Sequence, residues 1–409
     1  MTALIACSTR SPGRRTPRPV REAPDRIIRV AITPVIATAR VSATTEFQWF
    51  VADGRTFLTR GRAGEQWRLE HEENARRVRA IRADGVPTAW QTRLIARVGA
   101  DGFLTLNGKR YRGELNVVPS DTGLAVVNRI GLEDYLRGVV PVEMGEHPKR
   151  DSSALQAQAV ASRSYAYVRL AQRGETFDVR ATTSDQVYGG VDVENDEAND
   201  AIDATRGLVL RYNSRVVDAP FHSTCGGTTA EPPEVWRVGE SAYLKRVSDR
   251  VGNSERYYCE IAPRYRWTRT LVGADLNEAL ERYLSTYATV PGGKPGAARG
   301  IGVRGRTPSG RVATIDIETE RGIYAVRGND MRYVLRQPGG EILPSTYFSV
   351  EPEYRDGRVA RVTFRGRGNG HGVGMCQWGA IGRARAGQSF RTILGTYYPG
   401  TTVGTVPGQ

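Results

Sequence analysis

The chain has 409 residues, a hydrophobic fraction of 39% and a formal net charge of +14. That length accommodates two or three packed domains or one core with large insertions, and the composition excludes disorder except at the ends. The positive charge is almost all arginine, since lysine occurs only at positions 109, 149, 245 and 294. No helix interleaves basic residues with aromatics, so nucleic acid is not an expected partner.

No stretch reaches the roughly 18 to 20 apolar residues of a membrane span. Near the start, "LIAC" at residues 4–7 resembles the end of a bacterial lipoprotein signal with Cys7 as the lipidated residue, although only three residues precede it. Either the start lies upstream or Cys7 is incidental. The expectation is an exported protein of the periplasm or cell envelope, anchored at Cys7, with residues 1–26 as a disordered Pro- and Arg-rich tether.

From Ile27 the composition changes to short β-like runs, "RIIRVAI", "FQWFVAD", "LIARVG", "FLTLNGKRYRGELNVVP" and "LAVVNRI", punctuated by Asp101-Gly102 and Asn107-Gly108 as hairpin signals. Residues 27–128 are therefore expected to be β-rich. Next, "DSSALQAQAVASRSYAYVRLAQRG" predicts a helix capped by Ser153 with Gln156 three residues on, and closed at Gly174. Its repeating positions Leu155, Ala159, Ser162, Ala166 and Leu170 are mostly small, which implies close approach of another backbone. A second helix follows at "ENDEANDAIDATRG", ending at Gly207, then a hairpin turning at Asn213-Ser214. Residues 267–350 carry another helix at "LNEALERYL" and further strands around a loop "VPGGKPGAARG".

Candidate chemistry falls in a few places. In "GLEDYLRGVVPVEMG" an apolar run delivers one carboxylate, Glu143. Burial raises a carboxyl pKa toward that of a general acid, whereas an edge strand would leave the same residue in solvent. The run "GNGHGVGMCQWGA" places His371, Gln377 and Trp378 among glycines, a donor, an amide and a stacking face of the kind sugars need, or a simple turn. In "FHSTCGG", His222 and Cys225 are spaced to share a metal. With Cys259 and Cys376 they can form a zinc site; a single disulfide with one buried thiol, or free thiols, remain alternatives. The polar run "TTSDQVYGG" offers Gln186 and Tyr188 to a cleft. No Gly-x-Ser-x-Gly elbow, phosphate loop or dinucleotide fingerprint occurs.

The blocks "LEDYLRGVVPVEM", "ALQAQAVASRSYAY", "TTSDQVYGG", "ATRGLVLRYNSRVVDAPFHSTCGGTT", "YRWTRTL" and "GNGHGVGMCQWGA", in this order over roughly residues 111–399, resemble the SpoIID/LytB family. The resemblance implies a lytic transglycosylase of peptidoglycan glycan strands, with Glu143 as acid/base. It implies strands stripped of peptide stems as substrate and an amidase as partner. The alternative is a glycan-binding activator of an N-acetylmuramoyl-L-alanine amidase that does not itself cleave. A cysteine and histidine zinc site is also among the family's arrangements, here Cys225, Cys259, Cys376 and His222. One departure is the "GEHPKRDSS" connector from Gly145, which replaces a more Pro-rich link.

The expected fold is α+β, a mixed β-rich core with a few helices, in which residues 27–128 pack on a catalytic core over 129–403 with an insertion at about 267–350. Gln186, Tyr188, His371, Gln377 and Trp378 are expected to line the sugar cleft. Arg163 is expected either to steer acidic lactyl groups or to pair with a carboxylate.

Overall fold

The computed structural model describes residues 26–33, 35–72, 75–172 and 176–406. Cys7, the tether apart from Arg26, and Gly174 lie outside the described residues. With 25% helix and 36% strand in several sheets, the fold is α+β.

A seven-stranded sheet runs in the order Val179–Arg180, Ile27–Ala31, Gly123–Gly131, Glu114–Ser120, Leu94–Val98, Phe47–Phe50, Phe57–Gly61. A five-stranded sheet runs Arg77–Ile81, Trp67–Glu72, Ala39–Ala43, Leu104–Leu106, Lys109–Tyr111. Period-two alternation buries Phe47 and Trp49 around exposed Gln48, and Trp67 and Leu69 around exposed Arg68. The inward faces meet, with the Trp49 and Trp67 rings 6.1 Å apart, so the sheets share one core. Asn107-Gly108 makes the expected hairpin, both residues at positive φ (50° and 87°). Asp101-Gly102 does not. It carries the chain from Leu94–Val98 in one sheet to Leu104–Leu106 in the other, with the Gly102 N–H on the Gly99 carbonyl at 3.1 Å.

The helices are α1 (Leu132–Arg137), α2 (Val140–Met144), α3 (Ser152–Gln172), α4 (Asp196–Ala204), α5 (Pro232–Val235), α6 (Gly273–Tyr287), α7 (Asp330–Val334), α8 (Gln377–Arg385) and α9 (Phe390–Tyr397). The strand Gly123–Gly131 runs directly into α1, so the sequence boundary near residue 128 falls inside a strand. Likewise Val179–Arg180, beyond α3, pairs in parallel with Ile27–Ala31.

A short turn, Lys149–Asp151, precedes α3, and Ser153 sits inside the helix rather than capping it. Every residue from Ala157 to Ala166 is buried, polar ones included. The expected one-sided stripe is therefore replaced by a central helix, packed on by α1, α2, α4, α8, α9 and the strand Leu208–Tyr212. Small residues all round are what let so many neighbours approach it. The hairpin after α4 turns at Asn213 and Ser214 (φ 46° and 64°) as expected.

A second, separate core forms between Trp267 and Phe364. In α6, Leu276, Leu280 and Leu284 recur every fourth residue and are fully buried. They pack with Trp267, Phe348 and Phe364 of the sheet Arg266–Val272, Arg358–Arg367, Phe348–Arg355, and with Ile315 of the sheet Ala298–Arg306, Val312–Thr319, Gly322–Arg327.

Candidate active site

Gly138 ends α1, and Pro141, which has no N–H to lose, starts a new short helix. In α2 the turn sends Val140, Pro141 and Met144 inward and leaves Val142 37% exposed. Glu143 is half-buried beside Val142, on a helix and not on an edge strand. Its carboxylate Oε1 accepts the Val187 N–H at 3.0 Å, and the Gln377 side chain also hydrogen-bonds to it. Burial raises the Glu143 pKa above its usual 4.5, and the Val187 amide and Gln377 side chain pull the other way without cancelling it. Asp185, in the same segment as Val187, accepts the Tyr165 hydroxyl at 3.1 Å and the Arg180 N–H at 3.0 Å.

The run Thr182–Gly190 supports this carboxyl from behind. Tyr188 is 6% exposed; its hydroxyl donates to Asn128 Oδ1 at 2.8 Å and its ring lies 5.2 Å from that of Tyr135. Gln186 is fully buried and accepts the Tyr135 hydroxyl at 3.2 Å. Neither side chain lines a sugar cleft, contrary to expectation. Alternation turns both inward, so the segment presents its backbone instead, with the Val187 N–H toward Glu143 and the Gly189 N–H on the Gly138 carbonyl at 2.9 Å. At Gly138 a Cβ would lie 2.8 Å from Tyr188 Cδ2 and 3.0 Å from the Gly190 carbonyl oxygen, so this close approach requires glycine.

The opposite wall comes from α8. Gln377 is buried, and its Nε2 donates to Gln158 Oε1 at 3.4 Å, while Gln158 Nε2 donates to Ser162 Oγ at 3.0 Å. This polar ladder on α3 aims the Gln377 amide at Glu143. Half-buried Trp378 meets the edge of the His147 ring, centroids 6.0 Å apart. His147 bonds the Met144 carbonyl at 2.8 Å and Asp151 at 2.9 Å, and Asp151 takes both a second and a third bond from Arg385, each 2.8 Å. The "GEHPKRDSS" connector thus clamps α2 to α8. Gly145, at φ 81°, makes the bend that a side chain would strain.

Of the two readings of Arg163 the structure selects one, and two more expectations change. Arg163 is 1% exposed and forks onto Glu133, Nε to Oε1 at 2.8 Å and Nη2 to Oε2 at 2.7 Å; it pairs with a carboxylate in the core and does not reach substrate. His371 donates from Nε2 to the Phe221 carbonyl at 2.8 Å and accepts the Val373 N–H on Nδ1 at 3.1 Å. With both nitrogens engaged and its pKa lowered to about 4 by burial, it is a neutral residue that fastens the glycine loop against Trp236. His222 pairs across a strand with Cys376, but its ring bonds the Val373 carbonyl at 3.1 Å and is not among the ligand atoms that converge with the cysteines. The group that does converge is Cys225, Cys259, Cys376 and Asp249, and the acid was not foreseen. A cleft of about 780 Å³ lies elsewhere, in the second core region, lined by residues that include Arg266, Trp267, Arg306, Tyr347, Arg365 and Arg367, and it shares none of these with the Glu143 site.

Residues 120–212, which include Glu143, Gln158 and Val187, match the family described as SpoIID, stage II sporulation protein. The chain is 30% identical over 294 residues to stage II sporulation protein D of Bacillus subtilis, covering 68% of this chain and 75% of that one. The chain belongs to the SpoIID/LytB family. An uncharacterised protein of Brachyspira hyodysenteriae is 34% identical over 305 residues, 74% of each chain. The amidase enhancer of Bacillus subtilis is 29% identical over 415 residues, 90% of this chain but 53% of the relative. Residues 252–374 match a domain of unknown function, DUF8618, and this span takes in the second core.

Proposed function

We propose that this SpoIID/LytB member is a lytic transglycosylase of peptidoglycan, cleaving the β-1,4 bond between N-acetylmuramic acid and N-acetylglucosamine and leaving a 1,6-anhydromuramic end. A cell-wall role follows from the family. The observation that carries the finer reading is the environment of Glu143, a half-buried carboxyl with raised pKa, held by the Val187 amide and the Gln377 side chain.

A hydrolytic glycosidase of the usual kind employs two carboxylates, one to protonate the leaving oxygen and one to attack or to activate water. Here the 6-hydroxyl of the same muramic residue attacks C1, so the nucleophile is already tethered. Glu143 gives its proton to the glycosidic oxygen as that bond breaks. The resulting carboxylate then takes the proton of the 6-hydroxyl as the new C1–O6 bond forms, which restores the acid. The Val187 amide and Gln377 steady the carboxylate between the two transfers, and Trp378 supplies an aromatic face beside it. Strands freed of stem peptides by an amidase are the proposed substrate, and the periplasm or cell envelope, with Cys7 as a lipid attachment, the proposed location.

A second reading, activation of a separate amidase without cleavage, is favoured by the alignment of the amidase enhancer over 90% of this chain. The test is digestion of glycan strands, intact and amidase-treated, by wild type and Glu143→Gln, with mass spectrometry of the products. Anhydromuramic ends from wild type alone support the transglycosylase. Equal strand binding by both proteins with no such ends, and faster stem release when an amidase is added, would support the activator instead.

A further inference from the structure

The face of α8 turned away from Glu143 meets a different cluster. Cys225, Asp249, Cys259 and Cys376 come from four separate segments, all are buried, and their ligand atoms lie within 4.8 Å of one another. Cys225 and Cys259 Sγ are 3.5 Å apart, far beyond the about 2.05 Å of a disulfide. Cys225 Sγ stands 3.9 Å from Asp249 Oδ2. A tetrahedral zinc with bonds of about 2.3 Å to sulfur and 2.0 to 2.2 Å to oxygen separates its ligands by roughly 3.5 to 3.8 Å. The four side chains are already near that spacing.

Hydrogen bonds to the sulfurs support the site independently of the spacing. The Cys225 N–H donates to Cys376 Sγ at 3.2 Å, the Gly227 N–H to Cys225 Sγ at 3.3 Å, and the Gly379 N–H to Cys376 Sγ at 3.3 Å. Backbone donors thus hold two of the three sulfurs in place, and Cys376 is the N-cap of α8. Gly226 and Gly227, at φ 75° and 114°, make the turn that folds one of these donors back. On Asp249, Oδ1 is held from outside by the Tyr397 hydroxyl at 2.7 Å and Arg383 Nε at 3.2 Å, while Oδ2 accepts the Cys259 N–H at 3.0 Å on the side of the cysteines.

Charge completes the case. Three thiolates and a carboxylate around a dication leave two negative charges, and two buried guanidiniums flank the group. Arg383 lies on Asp249, and Arg311, 1% exposed, donates through Nη2 to the Cys225 carbonyl at 2.8 Å. We propose that Cys225, Cys259, Cys376 and Asp249 bind one zinc ion in a closed, four-ligand structural site. Thiolate-rich tetrahedral sites select zinc, and a fully buried ligand set without an open position serves stability and not catalysis. The site joins the His222–Gly227 loop, the Asp249–Cys259 segment and the start of α8, so it holds the helix that carries Gln377.

The test uses the full chain with Cys7→Ser, purified without chelator or added metal, so that only these thiols are counted. Elemental analysis is expected to find about one zinc per chain, and zinc-edge X-ray absorption three sulfurs and one oxygen. The three thiols should resist alkylation until a chelator is added, and the apparent melting temperature should fall on metal removal. Cys259→Ser and Asp249→Ala should lose most of the metal. Because these variants also risk misfolding, the wild-type absorption spectrum decides independently. Absence of metal together with an intact mass two hydrogens lighter, one thiol remaining alkylatable, would establish a disulfide and overturn the proposal. Zinc bound without sulfur ligands would overturn it equally.

Discussion

Replacing Arg163 by methionine should destabilise the fold and leave glycan binding by the folded protein intact. Arg163 Nε and Nη2 hold Glu133 at 2.8 and 2.7 Å, Nη1 donates to the Leu208 carbonyl at 3.0 Å, and Nη2 also reaches the Ile202 carbonyl at 3.4 Å. Methionine keeps much of the aliphatic volume but leaves a carboxylate that is 6% exposed without its guanidinium. The Gly207 N–H also donates to Oε1, at 3.2 Å, and does not replace the guanidinium's charge. Removing one member of a buried pair costs about 3 to 5 kcal/mol, a large share of the roughly 5 to 15 kcal/mol that stabilises a domain. At about 1 to 3 kcal/mol per molar urea, the unfolding midpoint should drop by roughly 1 to 5 M, measured by tryptophan fluorescence and far-ultraviolet circular dichroism. Adding Glu133→Leu should restore at least half of the loss, because an apolar pair of similar volume has no buried charge to compensate. An unchanged midpoint combined with weaker strand binding would refute the core assignment and return Arg163 to the cleft.

Glu143 must begin the reaction protonated, so cleavage should decline as pH rises through a pKa above the ordinary glutamate value; burial is the cause of that elevation. Gln377→Met removes a donor to the carboxylate, which raises the pKa further, so this alkaline limb should move to higher pH; movement to lower pH would contradict the geometry. The same shift has a stability consequence with a definite sign. The fold favours protonated Glu143, so the contribution is complete below the unfolded pKa and is lost as pH rises through the folded one. Glu143→Gln should therefore gain urea resistance over wild type at pH 8, by about 0.5 to 2 kcal/mol as at other strained active-site positions, and gain less at pH 4. Gly138→Ala places a Cβ 2.8 Å from Tyr188 Cδ2. Overpacking there should cost about 1 to 3 kcal/mol, and displacement of the Val187 amide should reduce cleavage by roughly tenfold or more, read from initial rates on purified strands.

What the sequence makes legible is whatever local chemistry dictates. Asn107-Gly108 and Asn213-Ser214 turn because their backbones adopt positive φ, and the apolar run around Glu143 does bury most of its members. Asp101-Gly102 carries the same local signal but sits where the chain changes sheets, and only the tertiary pairing decides that. The misread side chains share one cause. Gln186, Tyr188 and His371 are polar residues in blocks that resemble a binding site, and polarity alone does not distinguish a group that meets substrate from one that satisfies a buried partner; for Arg163 the same ambiguity left both readings open, and the pairing one holds. The Val187 amide has no sequence signal at all, because every residue except proline carries one. His147 and Asp151, four apart in "HPKRD", were visible as a spacing. Their meaning depended on Arg385, which lies 234 residues further along the chain from Asp151.

Cys376, Gln377 and Trp378 are adjacent, yet they face three places, because successive residues at a helix start point about 100° apart. Cys376 turns its sulfur to the cysteine group, Gln377 its amide to Glu143, and Trp378 its ring to His147. The far end of α8 repeats the division. Arg383 reaches Asp249 at 3.1 Å on one side, and Arg385 reaches Asp151 at 2.8 Å on the other. Between the ends, Gly379 and Gly382 admit Tyr397 and the Tyr258 carbonyl so closely that any Cβ would collide with them. A helix fastened on both faces at both ends cannot slide or rotate without breaking an ionic contact. The Gln377 amide is therefore positioned by the entire helix and its partners, and the compact "MCQWGA" run works only because the fold brings Asp249, Glu143 and His147 to three sides of it.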